Sequence, residues 1–196
     1  YLNSGVYEGK TIVSAEAIQA MQQRVHQIGR NTYYCYALEV TPDYEGVTLV
    51  EHGGGQPGVS SNFGFVPEEK ISVAVLTNVS DVPASRIWLA AVNSYLGLPI
   101  DKERSYEPQY ETALEDMLKF CGTYECDEGS KFTISPTDNW VKITVGGHDY
   151  ELRASSKDTL VFHRNKMEQV IKFYFDDSGK PWAAFFHLRM LRRTSK

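Results

Sequence analysis

The spacing of apolar residues predicts a helix, a series of short strands and a second helix in the first half of the chain. Residues 12–24 place Ile18 and Met21 on one helical face, and Ser14 is suited to cap the N-terminus. The period then becomes that of a strand, and tight turns between the strands indicate an antiparallel meander. A second helix is expected over 81–96. The four predicted strands are 33–40, 47–52, 60–67 and 71–78.

The second half of the chain has a different pattern. Residues 100–110 are polar and aperiodic, which predicts a linker between two domains. A short helix is expected over 114–120, followed by about seven or eight strands, and such a series is typical of a closed or nearly closed up-and-down barrel. The expected fold class is therefore α+β: an antiparallel meander with flanking helices over 1–99, then a small antiparallel barrel over 111–196.

Two segments of the second half have simple interpretations. The basic cluster Arg189–Lys196 is interpreted as a solvated tail. The aromatic run Trp182–Phe186 is interpreted as barrel wall, with the lining of a ligand site as the alternative.

Composition limits the class of protein. The 196 residues are 42% hydrophobic and 23% charged, as in soluble folded proteins, and the net charge of −5 argues against a nucleic-acid surface. No apolar run approaches the roughly 20 residues of a membrane span. The compartment stays open, with periplasmic, extracellular and cytoplasmic locations all compatible.

The cysteines and most histidines give no metal or cofactor signal. An odd number of cysteines does not suggest a disulfide framework, and the histidines lack the spacing of metal ligands. We therefore expect no metal and no organic cofactor. The residues concerned are Cys35, Cys121, Cys126, His26, His148, His163 and His187.

The stretch "EHGGGQPGVSS" at 51–61 is the strongest candidate for chemistry. Its Gly53-x-Gly55-x-x-Gly58 spacing matches a dinucleotide fingerprint, but a strand pattern follows where that fingerprint needs a helix. A His-Gly-Gly-Gly oxyanion loop of the α/β-hydrolase type would need a Gly-x-Ser-x-Gly elbow, which the chain lacks. The third interpretation is an edge strand whose glycines let an acyl group approach the backbone.

This stretch also carries a resemblance to a known family. "LNSGVYEGKTIVSAEAIQAMQ", "EHGGGQPGVSSNFGFVPEEKISVAVLTN" and a helix ending in "YLGLP" resemble the C-terminal part of the serine β-lactamase-related, penicillin-binding-protein-like hydrolases. That family includes class C β-lactamases, D-aminopeptidases and esterases. The resemblance covers residues 1–99. Residues 107–196 resemble, by strand pattern and position, the lipocalin-like barrel appended to some members.

The resemblance implies roles for three residues. His52, with Gly53 and Gly54, takes the place of the family's Lys-Thr-Gly motif, and Gly55 would supply one oxyanion-hole N–H. His52 would hydrogen-bond a catalytic tyrosine or a substrate carboxylate. The predicted catalytic residues are therefore His52, Gly54 and Gly55. The implied reaction is hydrolysis of a peptide, amide or ester through an acyl-serine intermediate.

The nucleophile of that reaction is not in this chain. No Ser-x-x-Lys occurs, and Tyr1-Leu2-Asn3, which spells Tyr-x-Asn, aligns with a different segment of the family. We therefore expect this chain alone to be inactive and to be the C-terminal segment of a longer protein. Its expected partners are the missing N-terminal part or a second copy, because the meander should expose apolar surface.

Alternative interpretations remain at this point. In the alternative hypothesis the chain is a non-catalytic binding or regulatory module, in which the barrel holds an apolar ligand or covers the hydrolase cleft. Tyr33, Tyr34 and Tyr36 precede the meander and are interpreted as packing and rim residues, with a place in the substrate cleft as the alternative.

Overall fold

The computed structural model describes residues 1–164 and 167–194, which form two compact units, Tyr1–Ser105 and Tyr106–Lys196. Both consist mainly of antiparallel strands with few helices, as the sequence predicts. Across the described ranges, none of the helices has the length and apolar character that crossing a membrane requires.

Unit 1 contains a six-stranded antiparallel sheet in the order β3-β4-β5-β6-β7-β8, a separate hairpin and two helices. The predicted meander is therefore present, with one two-stranded hairpin before it. The elements are β1 (Val6–Tyr7), β2 (Lys10–Thr11), α1 (Ala15–Met21), β3 (His26–Gln27), β4 (Tyr33–Tyr34), β5 (Glu39–Tyr44), β6 (Val47–Gln56), β7 (Val59–Val66), β8 (Ile71–Thr77) and α2 (Ala84–Tyr95).

Both predicted helices of unit 1 form, and each is shorter than predicted. Ser14 caps α1, because its side chain accepts a hydrogen bond from the Ala17 N–H at 3.1 Å. Helix α2 covers one face of the sheet with Trp88, Leu89 and Val92, all buried. A Cβ at Gly64 would lie 2.6 Å from the Trp88 ring, so the absence of a side chain there lets the helix approach.

The meander differs from the prediction in two places. The predicted strand 33–40 is interrupted by a bend at Cys35–Leu38, where the Cys35 N–H donates to the Leu38 carbonyl. The first four residues of the segment "TPDYEG", expected to be a turn, instead continue β5 as far as Tyr44. The turn lies only at Glu45 and Gly46, whose positive φ values of 50° and 87° suit a tight hairpin.

Unit 2 is a nine-stranded antiparallel sheet in the order β12-β11-β10-β9-β17-β16-β15-β14-β13. Its end strands β12 and β13 are consecutive in the chain and separated only by Leu152, so the sheet is nearly closed, as predicted. The elements are α3 (Leu114–Leu118), β9 (Gly122–Glu125), β10 (Lys131–Pro136), β11 (Val141–Val145), β12 (His148–Glu151), β13 (Arg153–Ala154), β14 (Thr159–Arg164), β15 (Met167–Phe175), β16 (Pro181–Phe186) and β17 (Arg189–Arg193).

The interior of unit 2 is filled by its own side chains. Tyr124 is fully buried and donates its hydroxyl to the Phe120 carbonyl at 3.0 Å, and burial raises the pKa of Tyr124 to about 12. Ring contacts connect an aromatic cluster through this core. Its members are Phe120, Tyr124, Phe132, Phe162, Phe173 and Phe186.

The interpretation of Arg189–Lys196 as a solvated tail is wrong. Arg189–Arg193 form β17, which pairs with β16 on one side and β9 on the other, and Leu191 is fully buried. Arg193 donates to the carbonyls of Cys121 and Pro181, which explains why this half-buried arginine is tolerated, while Arg189 and Arg192 are exposed. The last two residues of the predicted tail lie outside the described residues.

A tight turn separates β16 from β17, between the aromatic run and the basic cluster of the sequence. His187 and Leu188 form it, with φ values of 47° and 60°. The pair contains no Gly, Asn or Asp, the usual residues of such a turn, so the turn had no strong local signal.

Candidate functional site

The pairing of strand β6 with its neighbours changes at His52. Val50 and Glu51 pair with β5 on one side and with β7 on the other, and the register with β5 ends at the pair Glu39–Glu51. Over His52–Gln56 the strand pairs only with β7. The prediction of an edge strand is thus met by half of β6, while the strand as a whole lies inside the sheet. We call the unpaired side of Gly53–Gln56 the open edge.

The hairpin geometry determines which backbone groups the open edge presents. Gln56 and Val59 flank a two-residue turn, so they bond to each other. Because successive residues of a strand direct their N–H and C=O to opposite sides, Gly54 bonds toward β7. The N–H and C=O groups of Gly53 and Gly55 therefore point to the open edge. The turn at the other end of β6 leads to the same assignment.

The ring of His52 lies at this edge with both nitrogens engaged. Nδ1 is 2.6 Å from the Gly53 carbonyl oxygen, and Nε2 is 3.1 Å from the Tyr34 hydroxyl. A carbonyl only accepts hydrogen bonds, so Nδ1 carries the proton and the Nε2 of a neutral ring accepts from Tyr34. Tyr34, considered in the sequence as a rim or cleft residue, is thus the partner of His52.

The predicted site residues occupy different positions relative to the open edge. His52 and Gly55 lie at it, whereas the amide of Gly54 faces β7. A Cβ at Gly54 would come within 2.7 Å of the Ser61 Oγ, so a side chain there would collide with β7. At Gly55 the nearest atom to an added Cβ is the Val59 carbonyl oxygen at 3.9 Å. Gly53, not included among the predicted catalytic residues, presents its backbone beside Gly55.

A buried charge network lies next to this part of β6. The Glu51 carboxylate, 4% exposed, is paired with the Arg104 guanidinium and accepts from Asn62 Nδ2 at 2.7 Å. Glu39 lies opposite Glu51 in the sheet. Burial, and secondarily the Glu51 charge, raises the pKa of Glu39. The Oδ1 of Asn62 has no hydrogen-bond partner within the described part of the chain.

Arg104 belongs to a segment that the sequence predicted to be a linker. The residues before it are also held on unit 1, since the Lys102 carbonyl accepts from Asn93 Nδ2 at 2.9 Å. Glu103 pairs with Arg86 at 3.3 Å. The polar composition of the segment thus reflects ion pairs and hydrogen bonds as well as exposure to solvent.

A cleft of about 640 Å³ lies beside the glycines, between β6, β7 and the start of α2. Hydrogen bonds of two serines hold one wall of this cleft in place. Ser60 Oγ donates to the Val79 carbonyl at 3.0 Å and accepts from the Val82 N–H at 3.2 Å, and Ser80 Oγ accepts from the Gly58 N–H at 2.6 Å. The loop before α2 is therefore tied to the hairpin that ends the open edge.

The sheet face opposite α2 carries exposed apolar side chains. Leu76 is 82% exposed and Phe63 is 44% exposed. A groove of about 860 Å³ continues this face toward Tyr1, whose ring stacks on Phe65 at 5.0 Å. The predicted exposure of apolar surface on the meander is present in unit 1.

The remaining candidate residues do not assemble with His52. His148, His163 and His187 belong to unit 2, where His187 Nε2 lies 2.7 Å from Gln169 Oε1. His26 pairs with Tyr34 in the sheet register. Within residues 1–164 and 167–194, no three His, Cys, Asp or Glu side chains are grouped as for a metal ion.

Comparison with known proteins gives structural neighbours only. No family model and no curated protein matches the chain. The octameric penicillin-binding protein homologue from Pyrococcus abyssi matches with 25% identity over 93% of this chain and 42% of its own, but its TM-score of 0.46 is too low to show a common fold.

Two structures of SurE match more closely in shape. One has 18% identity, 93% coverage of this chain, 43% coverage of its own and a TM-score of 0.65. The other, SurE with D-Leu, has 18% identity, 93% and 44% coverage and a TM-score of 0.66. The chain therefore shares a fold with SurE, and it spans less than half the length of each matched structure.

Proposed function

We propose that this chain forms the acyl-binding half of a serine hydrolase active site and that a segment outside residues 1–196 supplies the nucleophile. The observation that carries the proposal is the open edge of β6, where Gly53 and Gly55 direct N–H groups outward beside His52. An unpaired strand of this kind can receive the acyl part of a substrate as an added strand. Oxyanion stabilisation by one such N–H is commonly worth about 100- to 1,000-fold in rate.

In this proposal each residue at the open edge has a specific role. The Gly55 N–H binds the carbonyl oxygen that becomes the oxyanion, and Gly54 keeps the strand paired with β7. His52 and Tyr34 maintain the conformation of the edge. In this proposal Tyr1–Ser105 is the C-terminal part of a penicillin-binding-protein-like hydrolase domain, and the nearly closed sheet of unit 2 is its appended lipocalin-like barrel. The substrate class is a peptide, amide or ester.

Active-site labelling tests the proposal. A fluorophosphonate probe is applied to this chain alone and to a longer form that carries the segments preceding it. We expect no labelling of the chain alone and labelling of one serine outside residues 1–196 in the longer form. Gly55→Pro, which removes the N–H, should abolish labelling, while Gly29→Ala, at a glycine whose added Cβ meets only an ordinary contact at 3.7 Å, should not. Labelling that survives Gly55→Pro, or none in the longer form, would overturn the proposal.

The barrel-ligand alternative has weaker support: unit 2 has a cavity of about 410 Å³, but Glu111, Asp116 and Lys119 are among its lining residues, which does not suit an apolar ligand. The described interior of unit 2 is occupied by its own aromatic and aliphatic side chains. Small barrels of this type are commonly filled in this way and then hold no ligand inside.

A further inference from the structure

The last residue pair between β5 and β6 carries two carboxylates. Glu39 lies directly opposite Glu51, and beyond this pair β6 is bonded only to β7. The N–H and C=O of Glu51 point to the same side of β6 as those of Gly53, because the direction alternates along a strand. At Glu51 these groups bond to Glu39, and at Gly53 they face the open edge. The start of the open edge therefore depends on whether the Glu39–Glu51 pair stays closed.

Two carboxylates in these positions repel each other. Residues directly opposite in an antiparallel sheet have Cβ atoms about 4.5–5.5 Å apart on the same face, and like charges there destabilise the pair. The Glu51 side chain is 4% exposed, so water screens little of this repulsion. The repulsion contributes to the raised pKa of Glu39, which burial raises first and the Glu51 charge second.

The Arg104 guanidinium opposes this repulsion. It is paired with the Glu51 carboxylate, and its side chain is 19% exposed. Its charge also acts on the second carboxylate, because Arg104, and after it His52, lowers the pKa of Glu39. Asn62 Nδ2 donates to the other oxygen of Glu51 at 2.7 Å. The guanidinium thus supplies a positive charge to both members of the last β5–β6 pair.

We propose that Arg104 is a positioning residue of the acyl-binding edge, because its guanidinium keeps the Glu39–Glu51 pair closed and so fixes where the open edge begins. The inference rests on the function proposed above. Without the guanidinium, the two carboxylates must share a proton or separate. Separation would leave the N–H and C=O of Glu51 unpaired and extend the open edge back to that residue. A docked strand would then have more than one possible register, and its carbonyl would no longer be held at the Gly55 N–H.

Amide hydrogen exchange in the full ¹⁵N-labelled chain measures the closure of this pair. Protection factors, which correct for the pH dependence of intrinsic exchange, are compared at Glu51 and at Gly54, whose N–H bonds to β7. In Arg104→Met at alkaline pH we expect protection of Glu51 to fall roughly tenfold or more, with Gly54 unchanged. Adding Glu39→Gln removes the repulsion and should restore most of the protection. Arg86→Met, which removes the more exposed pair with Glu103, is the matched control.

The outcomes separate this inference from the proposed function. Unchanged protection of Glu51 in Arg104→Met, or a loss that Glu39→Gln does not restore, overturns the inference and leaves the proposed function standing. Failure of serine labelling in the longer form overturns the function and leaves the role of Arg104 in closing the pair. A measurement that keeps Arg104 covers the case in which Arg104→Met misfolds. Glu51→Gln should lower the pKa of Glu39, followed by ¹³C NMR of its carboxyl, and an unchanged pKa overturns the inference.

Discussion

Units 1 and 2 are both built from antiparallel strands, but they differ in how the faces of their sheets are covered. In unit 2 the sheet curls until its end strands are neighbours in sequence, and its inner face encloses a core that includes Phe132 and Phe173. In unit 1 the six-stranded sheet stays open. Helix α2 covers one face, and the other exposes Phe63 and Leu76.

This difference determines whether each unit needs a partner to cover its apolar surface. A nearly closed sheet with a filled interior buries its own apolar surface, as unit 2 does. An open sheet with an exposed apolar patch on one face, as at Phe63 and Leu76, is typical of a surface that contacts something else. In unit 1 this surface and the open edge of β6 belong to the same sheet, which agrees with the proposal that another segment completes the site.

The largest expected effect is in the core of unit 2. Phe132, 1% exposed, contacts the rings of Tyr124 and Phe186. Phe132→Ala should lower the free energy of unfolding of this unit by about 3–5 kcal/mol, measured by denaturant titration. Trp182→Ala, at a position 47% exposed, is the control and should have a much smaller effect. Similar losses for both would contradict a packed interior.

The next effect concerns the buried ion pair of unit 1. Arg104→Met leaves the Glu51 carboxylate buried without its counter-charge, which should cost about 3 kcal/mol of unfolding free energy. The control is Arg86→Met, which removes the more exposed pair with Glu103 and should change stability by about 0–1 kcal/mol. Equal losses would mean that Arg104 does not stabilise the strand beside the site.

The pH dependence of the unfolding free energy of unit 1 is a smaller effect with a defined sign. Burial raises the pKa of Glu39 above 4.5, so the folded state holds its proton more tightly than the unfolded state does. The free energy of unfolding therefore falls as pH rises from 4.5 to the raised pKa. Glu39→Gln should raise Tm at neutral pH and give no such gain well below the ordinary glutamate pKa. Calorimetry at both values checks this, and an equal gain at both would be inconsistent with a raised pKa.

The smallest change in stability is expected at the exposed apolar patch of unit 1, which contains Phe63 and Leu76. Leu76→Lys should leave the unfolding free energy within about 0.5 kcal/mol, because the side chain is 82% exposed. It should, however, weaken self-association of the isolated chain, measured by sedimentation velocity. Lys70→Leu, near the β7–β8 turn, is the control for surface charge. Unchanged association in Leu76→Lys would exclude this face as the contact.

Much of the fold could be predicted because its signals are local. Ser14 caps a helix as its residue type suggests, and the alternation of Val141, Ile143 and Val145 produces a strand with a buried face. The turn at His187–Leu188 and the strand Arg189–Arg193 could not be predicted in this way. The half-buried Arg193 is tolerated because distant carbonyls of Cys121 and Pro181 accept its hydrogen bonds.

The site could be predicted in part. The glycines after His52 indicated a close approach to the backbone, and the structure leaves one side of those residues unpaired. The pairing of His52 with Tyr34 and of Glu51 with Arg104 joins residues 18 and 53 positions apart. Only the register of the sheet and the path of the chain after α2 bring them together. A charged Glu51 within an apolar strand was the one local sign of the buried network.

Amide hydrogen exchange along β6, followed by NMR on the full chain, tests the open edge most directly. We expect an alternation: slow exchange at Gly54, whose N–H bonds to β7, and fast exchange at Gly53 and Gly55 on either side of it. Protection of all three amides would show that the edge is covered and would contradict the proposed acyl-binding site.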